Sequence, residues 1–206
     1  PKKEEFVKEL KNVTIKEIIR RGKLLIFNLS SGKSLTIHLK MTGQLIYPSH
    51  QKLGGGVNPG KISRVSFRFS DNTLLDFNDS RLFGELRIVN NWQDLKFIKE
   101  LGPEPFELTS DKFSEILKNK KTKIKVLITD QKIISGIGNL YASEILFRAK
   151  IDPRRPANTT RPPRATSGSG RAWMRWSSSA TRSRPRACMA PSSKWTSTEG
   201  RSHETH

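Results

Sequence analysis

At 206 residues, 34% of them apolar, the chain has room for one or two modest domains with cores of their own. Its 38 Lys and Arg stand against 19 Asp and Glu, a formal net charge of +19 that points to a polyanionic partner, nucleic acid ahead of an anionic membrane. Cys188, the single cysteine, excludes an intrachain disulfide and a cysteine-rich zinc site, no apolar run approaches the roughly 20 residues of a membrane span, and Pro1-Lys2-Lys3-Glu4-Glu5 has no signal-peptide stretch, so a reducing cytoplasm is the expected location.

In chain order, residues 4–10 read as the end of a helix. Strand-like runs follow at Thr14 to Ile19, Lys23 to Leu29, Ser34 to Leu39, Gln44 to Tyr47, Arg64 to Phe69, Leu74 to Phe77 and Glu85 to Val89, punctuated by Gly22 and Ser31-Gly32-Lys33. Residues 48–63, with Gly54-Gly55-Gly56, read as the longest loop. From Asp111 the period turns helical: Phe113, Ile116 and Leu117 share a face, then come Val126 to Thr129 and Leu140 to Ala149. The expected fold class is therefore α+β, an antiparallel β-sandwich domain over residues 1–100 followed by a helical domain over residues 101–156.

Beyond residue 151 the composition changes abruptly. Residues 1–151 carry 20 Lys and 7 Arg against 16 acids, whereas residues 152–206 carry 1 Lys and 10 Arg against 3 acids and no Ile, Leu, Val, Phe or Tyr. A stretch such as Arg171-Ala172-Trp173-Met174-Arg175-Trp176 has no apolar period, so residues 157–206 are expected to be a disordered, non-native tail from a shifted reading frame. The alternative is a nucleic-acid-binding arm stacking bases on Trp173, Trp176 and Trp195.

The segment Asp130-Gln131-Lys132-Ile133-Ile134-Ser135-Gly136-Ile137-Gly138-Asn139-Leu140-Tyr141-Ala142-Ser143-Glu144 carries the most information. Gly136 and Gly138 allow tight turns, and Asn139 is placed to cap a following helix whose amides and dipole would form a phosphate site. A Gly-rich turn between packed helices would read the same way. Beside it, Lys120-Lys121-Thr122-Lys123-Ile124-Lys125 is a basic cluster suited to salt-sensitive DNA contact.

The stretch from Ile124 to Pro153 resembles the helix-two-turn-helix motif of formamidopyrimidine-DNA glycosylases, through Asp130-Gln131, Gly136-Ile137-Gly138-Asn139, Tyr141-Ala142 and Ile151-Asp152-Pro153. Four more segments resemble that family in order: Arg20-Arg21-Gly22-Lys23, His38-Leu39-Lys40-Met41-Thr42-Gly43-Gln44-Leu45, Asn78-Asp79-Ser80-Arg81-Leu82-Phe83-Gly84 and Leu101-Gly102-Pro103-Glu104-Pro105. The resemblance implies a bifunctional DNA glycosylase and abasic-site lyase for oxidised purines, acting as a monomer on damaged double-stranded DNA. It implies that Met41, Arg81 and Phe83 fill the gap left by an extruded base, with Arg81 facing the unpaired partner. Lys23 and His38 would hold phosphate, Lys23 also donating a proton in β-elimination, while Lys120, Lys125 and Asn139 would contact DNA. A ribosomal protein shares the helical motif, so a non-catalytic nucleic-acid binder is the competing expectation.

Departures from the family pattern qualify the chemistry. The family attacks the sugar with an N-terminal proline followed by glutamate; here Lys2 follows Pro1, and Pro1 reads as an accident of truncation, so weak or absent catalysis is expected. The four-cysteine zinc ribbon of the intact family has no counterpart, so no cofactor is assigned to this chain. Leu82 stands where the family often has a second Arg, Ser80 where it often has Pro, and the 54–60 loop lacks the usual histidine, leaving Lys61 and Arg64 nearest.

Overall fold

In the computed structural model, which describes residues 3–47 and 63–160 and the backbone of Trp195–Thr196, the β-branched and aromatic runs of the first half pair as antiparallel strands. Helix α1 (Lys3–Leu10) precedes β1 (Ile15–Arg21), β2 (Leu24–Leu29), β3 (Ser34–His38), β4 (Gln44–Ile46), β5 (Ser63–Phe69), β6 (Leu74–Asn78) and β7 (Glu85–Val89). Two sheets result, ordered β1-β2-β3-β7 and β4-β6-β5, with a two-residue strand, β8 (Trp195–Thr196), pairing with the outer edge of β5. Their core is shared: Phe27, Leu29, Leu35 and Ile37 of the first sheet meet Phe67, Phe69, Leu75 and Phe77 of the second, and α1 adds Phe6 and Leu10, one helical turn apart. The strand boundaries fall within two residues of those read from the sequence. The long loop expected at 48–63 lies outside the described residues except for Ser63, which opens β5.

The chain divides between Asp94 and Leu95 into a second unit. It holds α2 (Lys96–Lys99), α3 (Ser110–Lys118), α4 (Ile124–Thr129) and α5 (Asn139–Arg148). The Thr109 hydroxyl accepts from the Lys112 amide at 3.3 Å and starts α3. Leu117, Ile124, Leu127, Ile128, Ile134, Ile137, Ala142 and Leu146 close a separate core, against which Phe113 and Ile116 pack as their helical spacing requires.

This unit runs past residue 156, where the composition break had suggested a tail. The Ala157 amide donates to the Thr122 carbonyl at 2.9 Å and the Asn158 amide to Lys120 at 2.9 Å, with Ala157 fully buried. Small residues without branched apolar side chains pack here because the 120–124 backbone supplies their hydrogen bonds, which composition cannot reveal. Apart from the backbone of Trp195–Thr196, the expected disordered tail lies outside the described residues from 161 onward.

Candidate nucleic-acid interface

Strand register assembles the first part of the site. Leu24 of β2 stands opposite His38 of β3, and His38 opposite Glu85 of β7, so this row is the end of the first sheet. The β1–β2 turn with Lys23, the turn after β3 with Met41, and the run before β7 with Arg81 and Phe83 therefore all emerge at one sheet end. The five site residues that the sequence picked from the β domain, spread over 61 positions from Lys23 to Phe83, share that edge.

Charge at this edge is organised. His38 Nδ1 accepts from the Lys40 amide at 3.0 Å, which leaves Nε2 as the protonated nitrogen of a neutral ring. Partial burial lowers the His38 pKa, the Lys40 and Lys23 charges lower it further, and Glu85 opposes them. Desolvation also lowers the Lys23 ammonium below its ordinary value. Lys40 Nζ and Arg87 both pair with Glu85 at 2.8 Å, so that carboxylate is held low, chiefly by Lys40.

The two turns beyond this row hold apolar side chains out in solvent. Met41 is 73% exposed, Leu82 66% and Phe83 56%, an uncovered patch of a kind that marks an interaction surface. Lys40 and Leu82 adopt left-handed backbone angles, φ +53° and +59°, which cost non-glycine residues about 1 kcal/mol each. The Arg81 guanidinium lies 4.0 Å from the Met41 sulfur, so two of the three expected wedge residues are side by side. Arg64, left by the sequence as a nearby cation, donates to the Asp79 carbonyl at 2.8 Å and so braces the second turn.

A residue absent from the sequence-derived set joins the turns. Asp79, only 1% exposed, accepts from the Thr42 hydroxyl on one carboxylate oxygen and from the Gly84 amide at 2.7 Å on the other. The Arg81 amide reaches the same Asp79 oxygen at 3.2 Å and the Thr42 hydroxyl at 3.3 Å. The Thr42 hydroxyl, then the Gly84 amide, hold the carboxyl below the usual carboxylate range. Gly84 has no room for a side chain, since a Cβ would run into the Phe77 ring and come within 3.0 Å of the Asp79 carboxylate. A signal was present: an Asp two residues ahead of a turn residue is the usual start of a side-chain-to-backbone turn.

In the helical unit, Lys120, Lys121 and Lys123 are exposed and Lys125 half-buried around the start of α4. The returning segment adds Arg155, whose carbonyl accepts from the Ile124 amide at 2.8 Å, a cation that sequence spacing could not place there. The cap of α5 differs from expectation. Gly138 is its N-cap and makes no side-chain cap bond; Asn139 is the first helical residue and exposed, because the extended backbone at Gly138 already supplies the break. Gln131 holds this turn instead, donating to the Thr129 and Ile137 carbonyls at 2.8 Å each and accepting from the Gly136 amide at 3.0 Å. The Gly136 φ of +90° is what allows the bend. Lys120, Lys125 and Asn139 thus share one unit, and Lys23, His38, Met41, Arg81 and Phe83 the other.

Among the described residues no group of three or more His, Cys, Asp or Glu could hold a metal ion, and no helix is long and apolar enough to cross a membrane.

Known proteins carry the same pattern. The formamidopyrimidine-DNA glycosylase N-terminal domain matches residues 1–86, and the H2TH domain of the same enzyme matches residues 101–167. A formamidopyrimidine-DNA glycosylase of Wolbachia sp. subsp. Drosophila simulans is 45% identical over 150 residues, 72% of this chain and 54% of the relative; one of Ligilactobacillus salivarius is 41% identical over 159 residues, 75% and 55%. The chain thus spans about half the length of the curated relatives it matches. A structure of MutM in complex with DNA containing carbocyclic 8-oxo-G aligns with TM-score 0.67 and 32% identity, covering 84% of this chain and 63% of that one. The Lactococcus lactis enzyme with DNA containing FAPY-dG aligns with TM-score 0.67 and 31% identity, at 84% and 63% coverage. With both domains matched in sequence, in order and in fold, the chain belongs to the formamidopyrimidine-DNA glycosylase family.

Proposed function

We propose that this chain recognises oxidised purines, formamidopyrimidine and 8-oxoguanine, in double-stranded DNA for base-excision repair, and that it retains lesion binding without full catalysis. The observation that carries the reading is the convergence of Lys23, His38, Met41, Arg81 and Phe83 on one sheet end. A base must leave the stack before its glycosidic bond can be attacked, at an unstacking cost of a few kcal/mol. Met41 and Phe83 fill the gap, and the Arg81 fork offers paired donors to the edge of the orphaned base. Lys23 and the Nε2–H of His38 hold the phosphates beside it. In the intact enzyme Lys23 is the proton donor of β-elimination, a role supported by desolvation that makes its proton easier to give up. Lys120, Lys125, Asn139 and the start of α5 grip DNA phosphates.

The zinc ribbon of the family needs four cysteines, and this sequence has one. The chain acts as a monomer in the cytoplasm. Pro1 and Lys2 lie outside the described residues.

Borohydride trapping of the 206-residue polypeptide on 8-oxoguanine duplex tests the division between grip and chemistry. The expected outcome is lesion-selective binding with no covalent complex. A trapped complex would show that an amine of this chain, Pro1 or a lysine, still reaches the sugar. Equal affinity for damaged and intact duplex would favour a non-catalytic nucleic-acid binder of ribosomal type.

A further inference from the structure

We infer that Asp79 is the positioning residue that fixes the Met41 turn to the Arg81–Phe83 turn, so that lesion selectivity depends on a side chain buried beneath the wedge. The inference rests on the lesion-binding reading above and deepens it. Asp79 is 1% exposed, so this ionised group is held by hydrogen bonds and cannot touch DNA. Its donors are the Thr42 hydroxyl from one turn and the Arg81 and Gly84 amides from the other. Thr42 is the residue after Met41, and the second turn spans Arg81, Leu82 and Phe83 between the two donated amides. Both turns carry strained backbone, at Lys40 and Leu82, which persists only where neighbouring bonds over-determine it.

The two carboxylate oxygens have different tasks, and this makes the residue hard to replace. One takes Thr42 and Arg81, the other Gly84. An isosteric amide has one acceptor oxygen and one NH2 donor. Either orientation of an asparagine therefore sets its NH2 against a backbone N–H, that of Gly84 or that of Arg81. An unpaired buried amide costs enough to shift a two-state turn about tenfold. Asp79 acts through Met41 and Arg81, so its loss reaches discrimination between damaged and intact duplex while the basic grip of the helical unit persists.

The test measures fluorescence-anisotropy Kd values of the full chain for an 8-oxoguanine duplex and its undamaged twin. The variants are Asp79→Asn, Thr42→Val, Thr42→Ser and Arg81→Ala, with hydrogen exchange at the Arg81 and Gly84 amides. Asp79→Asn is expected to lower the damaged-to-intact affinity ratio about tenfold, to speed exchange at both amides, and to leave the Kd for intact duplex and its salt slope unchanged. Thr42→Val is expected to lower the ratio by a smaller factor, and Thr42→Ser, which keeps the hydroxyl, to preserve it. Faster exchange with an unchanged ratio, in a protein whose ratio does fall on Arg81→Ala, would make Asp79 merely structural and overturn the inference alone. If the unsubstituted chain shows no preference for the lesion, the lesion-binding reading fails and the inference falls with it. Should Asp79→Asn fail to fold by circular dichroism, the Thr42 pair decides: equal ratios for Thr42→Val and Thr42→Ser would overturn it.

Discussion

His38 ends β3 with its Nδ1 engaged by the Lys40 amide, and burial beside Lys40 and Lys23 lowers its pKa from the ordinary 6.5. The ring is therefore neutral at pH 7 with its proton on Nε2. Two-bond 15N–1H NMR should show a single protonated ring nitrogen there; a doubly protonated His38 at pH 7 would contradict the assignment. The sign of the linkage follows. As pH falls below 6.5 the unfolded chain takes up a proton that the folded ring refuses, so stability declines until the lowered folded pKa is reached and is level below it. Asp79 gives the same direction in a more acid window: its stabilisation is complete above the ordinary carboxyl value of 3.8 and is lost as pH falls through its depressed folded value. At the same scale, Arg81→Ala should reduce preference for lesion duplex, whereas Lys120→Ala should weaken binding to all duplexes alike and flatten the salt slope by about 1 unit. Titrations of both variants on damaged and intact duplex separate the roles, and identical effects would refute the division.

At the scale of elements, the turn before α5 depends on one side chain as well as on its glycines. Gln131 closes three hydrogen bonds around Gly136 and Ile137, so Gln131→Ala should cost about 1–3 kcal/mol of stability and weaken DNA binding together. Thermal melts and anisotropy titrations would detect both; an unchanged melting point would show that the turn holds without it. Ile134, fully buried three residues later, should cost about 2–5 kcal/mol on substitution by alanine, read by urea denaturation. The strands were legible because each is a short run rich in apolar residues and bounded by turn residues, as in Leu24–Leu29 and Ser34–His38. The tie between the wedge turns was not, since Thr42 and Asp79 lie 37 residues apart and no local pattern couples them. The Gly138 cap was misread for Asn139 because Asn is the stronger capping residue by composition, and only the backbone angle at Gly138 decides. Residues 157–160 were not legible for a related reason: the Ala157 and Asn158 amides bond carbonyls of Thr122 and Lys120, a tie between distant segments that composition does not show.

For the molecule as a whole, a +19 charge accounts for attraction to a polyanion but not for choice among DNAs. Attraction of that kind decays as counterions are added, whereas hydrogen bonds and stacking in an unstacked gap persist. The charge and the helical motif alone would serve a non-catalytic nucleic-acid binder equally well. On the proposed lesion-binding role, discrimination comes from the sheet end that carries Met41, Arg81 and Phe83, and so should survive conditions that strip the electrostatic term. The deciding measurement is the affinity of the 206-residue chain for an 8-oxoguanine duplex and its undamaged twin across a salt series. The expected result is two parallel lines of log Kd against log salt, the damaged duplex bound more tightly at every concentration. Superimposed lines would contradict the central claim and leave a basic protein that holds any duplex.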